Sequence, residues 1–387
     1  MKIPRNKKDD YTEDIISKRQ IFLAKQTNKG AFHLHKYSFN PQVTEGNIEN
    51  FIGVAQVPIG LAGPLLVNGE HAKGQFLIPM ATTEGTLVAS YNRGMKLCSA
   101  LGGVKTTVIE DKMNRAPVFV FEDARYARDF GLWIKEHYKK IKEISENTSS
   151  IVKLIEIEQY TASKMIWLRF SYSTGDAAGQ NMVTKATREA CNWILTKKPK
   201  KLEKFSLAAN FDTDKKHSYI NYIKTRGKRV VAEIIIPHKL IKENFRVDAK
   251  AMAYQRGLST TGALLSGSIN NGAHSANAIT AMFIACGQDV ANVAESSAAI
   301  IYPEILDNGD YYFSITIPSL IVATYGGGTS LPTQRECLEI MDCYGDGKVN
   351  KFAEIVAATV LCGELSLSAA ILADEWVASH EQLGRNR

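Results

Sequence analysis

One glutamate in this 387-residue chain has neighbours that suit chemistry on an anionic substrate. Glu84 lies in the run P-M-A-T-T-E-G-T-L-V-A-S-Y-N-R-G-M-K, with Gly85 directly after it and with Arg93 and Lys96 further along. Small neighbours let a ligand approach the carboxylate closely, and the two cations can pair with negative charges on that ligand. The alternative is structural, because an acid in the first turn of a helix is stabilised by the helix dipole.

The same run predicts a strand followed by a helix. An apolar segment is typical of a strand that ends at Pro79, and Thr82 and Thr83 are good N-cap residues. Apolar residues at helical spacing over 87–95 then predict a helix with one buried face. We therefore expect Glu84 in the first turn of that helix.

Three further polar motifs have residue types suited to catalysis. The run D-T-D-K-K-H at 212–217 is, by itself, typical of a solvated loop. Asp289 follows an apolar helix predicted at 274–285, so it is either a plain helix-terminal acid or a partly buried one that needs a cation. His380 stands near the end of the chain and is either a surface residue or a proton donor, since imidazole titrates near neutral pH.

Two glycine-rich segments are candidates for contact with a ligand. The run T-G-D-A-A-G-Q-N at 174–181 precedes a predicted helix, whose N-terminal amides can bind a phosphate. It is not the G-x-G-x-x-G pattern, and an ordinary turn before a helix is the alternative. The run T-Y-G-G-G-T at 324–329 allows close backbone approach, with a purely structural turn as its alternative.

The stretch from 117 to 209 alternates between strand and helix patterns. Strands are predicted at 118–121, 152–160, 166–172 and 205–209, and helices at 124–146 and 180–196. This βαββαβ order is that of a ferredoxin-like unit. We therefore predict an α/β (α+β) fold, in which a large domain of mixed helices and sheet is interrupted by a small ferredoxin-like domain.

The composition excludes several classes of protein. The net charge of +7 comes without a nucleic-acid-binding motif, so we expect no nucleic-acid partner. Six cysteines without a C-x-x-C pair predict reduced thiols, no metal and a cytoplasmic location. The run 352–373 is the most membrane-like, but Glu354 and Glu364 within it favour a buried helix. We expect no membrane contact.

From about Glu49 to Arg385 the chain resembles the 3-hydroxy-3-methylglutaryl-coenzyme A (HMG-CoA) reductase family. The resemblance rests on E-N-F-I-G, P-I-G-L-A-G-P and P-M-A-T-T-E-G-T-L-V-A-S, and on later D-A-A-G-Q-N, T-D-K-K, G-Q-D and S-H motifs. Some members carry an N-terminal membrane anchor, and we expect none here. The likeness implies four catalytic residues: Glu84, Lys215, Asp289 and His380.

The resemblance also implies a role for each catalytic residue. Lys215 would be the cation that stabilises the oxygen charge developed when hydride adds to a carbonyl. Asp289 would hydrogen-bond both Lys215 and Glu84, and two carboxylates near one lysine have pKa values pushed apart. His380 would protonate the departing coenzyme A thiolate. In relatives the loop that carries this lysine (210–217 here, called the lysine loop below) meets the two acids across a subunit interface. We therefore expect a homodimer or higher homo-oligomer.

The same likeness implies binding residues and domain roles. The cofactor, NADPH or else NADH, would contact Asp176, Gly179, Asn181, Gly326, Gly327 and Gly328. The acyl-coenzyme A substrate would contact Asn92, Arg93, Lys96, Lys216, Arg256 and His274. The chain would divide into an N-terminal helical segment (1–46), a large substrate domain (47–116 and 218–378), a small NAD(P)-binding domain (117–209), a catalytic connecting loop (210–217) and a mobile C-terminal tail (379–387).

Several positions depart from the pattern of the family. Ala178 and Gln180 replace two methionines of the dinucleotide motif, and Ala208 replaces a serine before the lysine loop. Val120 stands where relatives place an arginine, and Arg256 aligns roughly with a family lysine. These departures predict intact catalytic chemistry with altered cofactor or acyl recognition.

The predicted function is the two-step reduction of HMG-CoA to mevalonate and free coenzyme A by two NAD(P)H molecules. Three alternatives stay open. They are the same chemistry on another branched acyl-coenzyme A, the reverse and degradative reaction with NAD, and a binding or scaffold protein without catalysis. The four catalytic positions argue against the last alternative.

Overall fold

A computed structural model of the protein describes residues 2–30, 32–374 and 381. Its helices are α1 (Glu13–Thr27), α2 (Leu87–Ala100), α3 (Ala124–Glu136), α4 (Tyr138–Glu146), α5 (Gln180–Thr196), α6 (Tyr219–Lys224), α7 (His238–Phe245), α8 (Ala249–Leu265), α9 (Ser275–Ala285), α10 (Val293–Ser296), α11 (Pro332–Ile340) and α12 (Val349–Leu372). Its strands are β1 (Ile59–Gly69), β2 (Lys73–Ala81), β3 (Val104–Arg115), β4 (Val118–Phe121), β5 (Lys153–Ala162), β6 (Met165–Ser173), β7 (Leu202–Ser206), β8 (Gly227–Ile236), β9 (Ile300–Ile305) and β10 (Tyr311–Leu320). Short 3-10 turns lie at Pro41–Thr44, Val290–Asn292 and Gly327–Ser330.

The strands form one mixed sheet in which the predicted small unit is recognisable. Strands β7, β4, β6 and β5 lie side by side in that order, and each neighbouring pair is antiparallel. That is the strand order of a ferredoxin-like unit, so the βαββαβ prediction is confirmed. The long strand β3 pairs with β8 over its first part and with β6 near its end, which makes the sheet continuous. The domain boundaries stay predictions.

The hydrophobic core is divided between the two parts of the sheet. One cluster packs α2, α9 and α12 against β1, β2, β8 and β10. A second cluster packs α3, α4 and α5 against β4, β5 and β6. The cavity described below lies where α5, from the second cluster, meets α9, from the first.

Three local predictions differ from the structure. The helix predicted at 124–146 breaks at His137, whose backbone leaves the helical region (φ −98°, ψ 10°). Strand β2 continues through Pro79. Among the described residues β2 pairs only with β1, so its other edge needs no N–H donor. Helix α2 begins at Leu87 and not at Thr82, because Thr86 before it is left-handed with φ of 71°. Glu84 therefore lies in the loop between β2 and α2.

Helix α12 is the long apolar helix that the sequence predicts to be buried. By length and mean hydropathy it could span a membrane, yet most of its residues are covered by the rest of the chain. Its two carboxylates have partners. Glu354 accepts hydrogen bonds from three backbone amides in the turn between β1 and β2, and Glu364 accepts two at the start of α9. Buried charges are tolerated when they are hydrogen-bonded in this way.

Helices α2 and α12 come into backbone contact at Gly94. A Cβ atom added there would lie 1.9 Å from the carbonyl oxygen of Cys362. Gly363 makes a similar approach to the ring of Tyr91, from which an added Cβ would lie 2.2 Å. Glycine at both positions is therefore required by the close packing of the helix that follows Glu84.

We expect Gly94→Ala to lower the free energy of unfolding by about 3 kcal/mol, because backbone cannot move aside as a side chain can. Denaturant titration followed by circular dichroism measures the effect. Ala100→Ser, on the exposed end of the same helix, is the control and should change stability by less than about 0.5 kcal/mol. Equal midpoints for Gly94→Ala and the control would contradict the contact.

Candidate active site

A cavity of about 570 Å³ brings together three motifs that are distant in sequence. Gly179 and Asn181 contribute the start of α5, Gly326 to Gly328 contribute the glycine-rich turn, and Asp289 lies on the same wall. The predicted cofactor segments and one predicted catalytic acid therefore share one space. The sequence alone could not place them together.

Glycines shape the walls of this cavity. Gly179 has φ of 81° and ends the loop before α5, where an added Cβ would lie 2.2 Å from the Thr174 side chain. Gly287 approaches Gly328 so closely that a Cβ would lie 2.2 Å from the Gly328 carbonyl oxygen. The first amides of α5 have no helical acceptors and lie at the cavity, which suits a bound phosphate.

Gln180 is one of the two residues that depart from the dinucleotide motif in the resemblance described above. Its amide nitrogen donates to Asn292 Oδ1 at 2.8 Å, and both residues line the cavity. This departure therefore ties the start of α5 to the segment that follows Asp289. The change from methionine makes a polar contact inside the cavity.

Asp176 has a different position from the other residues of its motif. Its carboxylate accepts hydrogen bonds from the backbone amides of Gly347, Lys348 and Val349, at 2.8, 3.0 and 3.1 Å. These amides lead into α12, where a negative charge is favoured by the helix dipole. Within this motif, the residues that line the cavity begin at Ala177. Asp176 therefore joins the loop to α12 and does not face the cavity.

Lys215 and Asp289 form an ion pair. Lys215 Nζ lies 2.9 Å from Asp289 Oδ2, and each side chain keeps about two-fifths of its surface exposed (44% and 42%). Asp289 Oδ1 also accepts the backbone amide of Ala291 at 3.1 Å, which caps the 3-10 turn after it. Since this pair forms within one chain, the expectation that the two residues meet across a subunit interface is wrong for this structure.

The backbone of Lys215 is held by a buried network. Its amide donates to Glu295 Oε1 at 3.0 Å, and the same oxygen accepts from Arg226 Nη1 at 2.6 Å. Arg226 Nη2 donates to Asp214 Oδ1 at 2.8 Å. Burial raises the pKa of Glu295 to about 7, against the opposing influence of Arg226, and burial also lowers the pKa of Arg226.

Glu84 lies at the other end of α9 from Asp289. Its Oε2 atom accepts from Asn277 Nδ2 at 3.3 Å, and Asn277 is in the first turn of α9. A helix of 11 residues is about 16 Å long, so α9 separates this carboxylate from Asp289, which follows the helix. The predicted direct contact between Glu84 and Asp289 is not what the chain forms.

The predicted substrate residue Arg256 belongs to the core. Only 4% of its surface is exposed, and it donates to Glu364 Oε2 at 2.8 Å and to Ser368 Oγ at 2.7 Å. Glu364 is fully buried, so it needs this cation. The assignment of Arg256 to substrate binding is therefore wrong in this structure, because the side chain is buried and both of its terminal nitrogens donate to groups inside the protein.

Of the other predicted substrate residues, three contact other residues of the chain and two are exposed. His274 is buried, stacks on Tyr91 at 4.6 Å and lies 3.3 Å from Ser90 Oγ, and burial lowers its pKa. Asn92 Oδ1 accepts the amide of Gly63 at 2.7 Å, and Arg93 donates to the Ser366 hydroxyl at 3.0 Å. Lys96 and Lys216 are exposed.

The predicted catalytic residue His380 lies outside the residues that the structure describes.

Sequence reasoning missed Asn277, Arg226 and Glu295, all of which contact a predicted catalytic residue or its loop. An acid within the apolar run before β9 was a usable signal for Glu295, because a buried carboxylate requires a partner. No local pattern indicated that Arg226 would be that partner. Asn277 carried no signal at all without the position of α9.

Comparison with known proteins places the chain among one group of enzymes. The sequence profile of the hydroxymethylglutaryl-coenzyme A reductase family matches residues 15–385. The 3-hydroxy-3-methylglutaryl-coenzyme A reductase of Methanocaldococcus jannaschii is 44% identical over 376 residues, which cover 95% of this chain and 92% of that protein. The corresponding enzyme of Pyrococcus horikoshii is 43% identical over 378 residues, with coverage of 95% and 91%.

Solved structures show the same fold at much lower identity. A class II 3-hydroxy-3-methylglutaryl-CoA reductase from Streptococcus pneumoniae, bound to NADPH in open conformations, superposes with a TM-score of 0.69. It is 18% identical, and the match covers 92% of this chain and 97% of that one. The overall arrangement of helices and strands is therefore shared with that structure.

We expect Asp176→Asn to destabilise the protein by about 1–3 kcal/mol, because the amide keeps one acceptor oxygen and turns an NH2 group toward backbone N–H groups. The shift of the thermal midpoint measures this loss. Asp346→Asn, an exposed change in the neighbouring loop, is the control and should leave the midpoint in place. An unshifted midpoint for Asp176→Asn would show that its three hydrogen bonds contribute nothing.

Proposed function

This chain belongs to the hydroxymethylglutaryl-coenzyme A reductase family of oxidoreductases, and we propose that the Lys215–Asp289 pair beside the cavity is its reducing centre. The reaction is the reduction of HMG-CoA to mevalonate and free coenzyme A. The observation that carries the proposal is the convergence of Asp289, the start of α5 and the glycine-rich turn on one cavity. The ion pair of Lys215 with Asp289 places a cation beside that cavity.

The cavity suits a dinucleotide cofactor. Free amides at the start of α5 can bind its phosphates, and the turn formed by Gly326 to Gly328 lets a flat ring approach the backbone. NADPH is the cofactor proposed, since the Streptococcus pneumoniae enzyme with this fold is bound to it. Gly179, Asn181 and the three glycines are its proposed contacts, and Asp176 acts by positioning their loop.

The chemistry assigns one task to each catalytic residue. Two cofactor molecules, bound one after the other, would each supply one hydride. The first would convert the thioester to a hemithioacetal, which loses coenzyme A to leave an aldehyde, and the second would reduce that aldehyde to the alcohol. The Lys215 ammonium stabilises the oxygen that becomes negative as hydride adds to its carbon. Asp289 holds this ammonium in place through their ion pair. Glu84 donates a proton to the aldehyde oxygen, and His380 protonates the coenzyme A thiolate after the carbon–sulfur bond breaks.

The separation of Glu84 from Lys215 supports a site shared by two subunits. Helix α9 holds the two residues apart within one chain, whereas both are assigned to the same substrate. Helix α8 has uncovered apolar side chains, namely Tyr254 (71% exposed), Leu258 (50%), Leu264 (76%) and Leu265 (84%). Large exposed apolar patches are typical of interaction surfaces. We assign it to a second copy of the chain, so that Glu84 of the partner subunit completes the site.

The buried position of Arg256 removes one reason to consider a different acyl group. Its departure from the family lysine does not change a side chain that faces substrate. Exposed Lys96 and Lys216 remain as proposed contacts for the anionic substrate, together with Arg93. We also propose a cytoplasmic location.

The proposed reaction is tested by following the oxidation of NADPH and of NADH with HMG-CoA as substrate. Folded protein that oxidises neither cofactor would contradict the proposed function.

We expect Lys215→Ala to lower turnover by roughly two to three orders of magnitude and to weaken substrate binding far less. The reason is that the ammonium interacts most strongly with charge present only in the transition state. Steady-state kinetics with HMG-CoA measure both values. Turnover close to wild type would remove Lys215 from the mechanism.

A mixture of two inactive variants tests the shared site. Lys215→Ala and Glu84→Gln subunits, unfolded together and refolded, should form mixed dimers that each contain one intact site. Random pairing makes about half of the dimers mixed, so about one quarter of wild-type activity is expected to return. Each variant refolded alone is the control. Activity that stays at the level of the controls would show that each chain carries its own complete site.

His380→Gln should slow the reduction of HMG-CoA sharply. It should leave a substantial rate of reduction of added mevaldehyde, which is the aldehyde formed after coenzyme A has departed. Mevaldehyde releases no thiolate, so it does not need the proton that His380 is proposed to donate. Parallel assays with the two substrates give the ratio of the two losses. Equal loss on both would assign His380 a structural role.

A further inference from the structure

One short segment of the chain contacts both the ammonium group and the backbone amide of Lys215. The segment 289–296 begins with Asp289, which binds the ammonium group at 2.9 Å. It ends in α10, where Glu295 accepts the backbone amide of the same lysine at 3.0 Å. The side chain and the backbone of Lys215 are therefore fixed relative to one rigid piece of structure.

Glu295 is buried in a way that only the lysine loop and Arg226 explain. The side chains of Glu295 and Arg226 are both fully buried, and the Oε1 atom of Glu295 makes both of the contacts described above. Its Oε2 atom has no hydrogen-bond partner among the described residues. A buried carboxylate with half its acceptors unused is costly. Such a group is not needed for packing alone.

The charges around Glu295 all belong to the lysine loop or support it. Arg226 pairs with Glu295 on one side and with Asp214 on the other. Asp212, which is also buried, pairs with Arg115 at 2.5 Å. Arg226 therefore fixes the loop through the residue before Lys215, while Glu295 fixes Lys215 itself.

Lys215 needs such support because its backbone is strained. Its φ is 56°, in the left-handed region that non-glycine residues rarely occupy, and Thr213 has the same value. Asn221 holds the residues on either side, since its amide group donates to the carbonyl oxygens of Thr213 and Lys216 at 3.3 Å. The amide of Lys215 itself is held by Glu295.

We propose that Glu295 is a positioning residue for the reaction, which sets the place of the Lys215 ammonium through the backbone of that lysine. The inference rests on the proposed catalytic role of Lys215. Glu295 does not line the cavity, so its effect reaches substrate only through the lysine. A displacement of the ammonium by about 1 Å is enough to lower turnover by one to two orders of magnitude.

Glu295→Gln tests the proposal without changing the volume of the side chain. The neutral amide pairs poorly with Arg226, so the loop loses its fixed position, and kcat should fall about 10-fold or more while KM for HMG-CoA changes less than about 3-fold. Glu203→Gln is the matched control, because Glu203 is also ion-paired, to Lys164, but lies on the surface. Glu295→Asp is the second variant if the first does not fold, since it keeps the charge and loses the reach.

Two further readouts distinguish positioning from general damage. Hydrogen exchange of residues 212–217 should become faster in Glu295→Gln, with the exchange of β3 and β8 unchanged. In a Lys215→Ala background the same change should have no further effect on turnover, because residues that act through one group are not additive. Unchanged kcat in Glu295→Gln, or a full additional loss in the double variant, would overturn the proposal. If Lys215→Ala alone is fully active, the assignment of Lys215 fails instead, and the exchange result still reports whether Glu295 fixes the loop.

Discussion

The buried carboxylate of Glu364, in the middle of α12, fixes the helix on which the candidate site depends. Its Oε1 atom accepts the backbone amides of His274 and Ser275 at the start of α9, at 2.6 and 3.0 Å. A helix N-terminus carries unsatisfied amides and partial positive charge, so a carboxylate there gains hydrogen bonds and a dipole interaction together. Arg256 neutralises the remaining charge from α8. Helix α9 therefore has a fixed start, and the groups at its two ends take their positions from it.

The end of α9 depends on a second constraint, which is close backbone packing. Gly287 turns the chain with φ of 67° and lies against Gly328 of the glycine-rich turn. Gln288 then joins the two segments, since it donates to the carbonyl oxygen of Ala323 and accepts the amide of the same residue. Because of these contacts Asp289 and the glycine-rich turn form one wall of the cavity. A side chain at either glycine would separate them.

Much of the site could be predicted from the sequence, and the parts that could not share a physical reason. Gly179, Asn181 and Asp289 were predicted by local patterns and by family likeness, and the cavity brings them together. The ferredoxin-like strand order followed from hydrophobic periodicity in the same way. Arg256 was assigned wrongly because its burial depends on Glu364, which is 108 residues away in sequence. Glu84 was placed in a helix because a local pattern cannot show that Thr86 is left-handed.

Because the Lys215–Asp289 pair is partly exposed, the association of two subunits affects its chemistry. In the single chain each side chain keeps about two-fifths of its surface in contact with water, and water screens the attraction between them. The network behind the pair is different, because Arg226 and Glu295 are fully buried and fix the loop without help from another subunit. The fold of one chain therefore fixes the position of the Lys215 ammonium. The strength of its electrostatic interaction with substrate depends on how far water is excluded from the pair. In the proposed dimer the second subunit supplies Glu84 and removes that water in the same step, so the lysine acts at full strength only where the proton donor is also present.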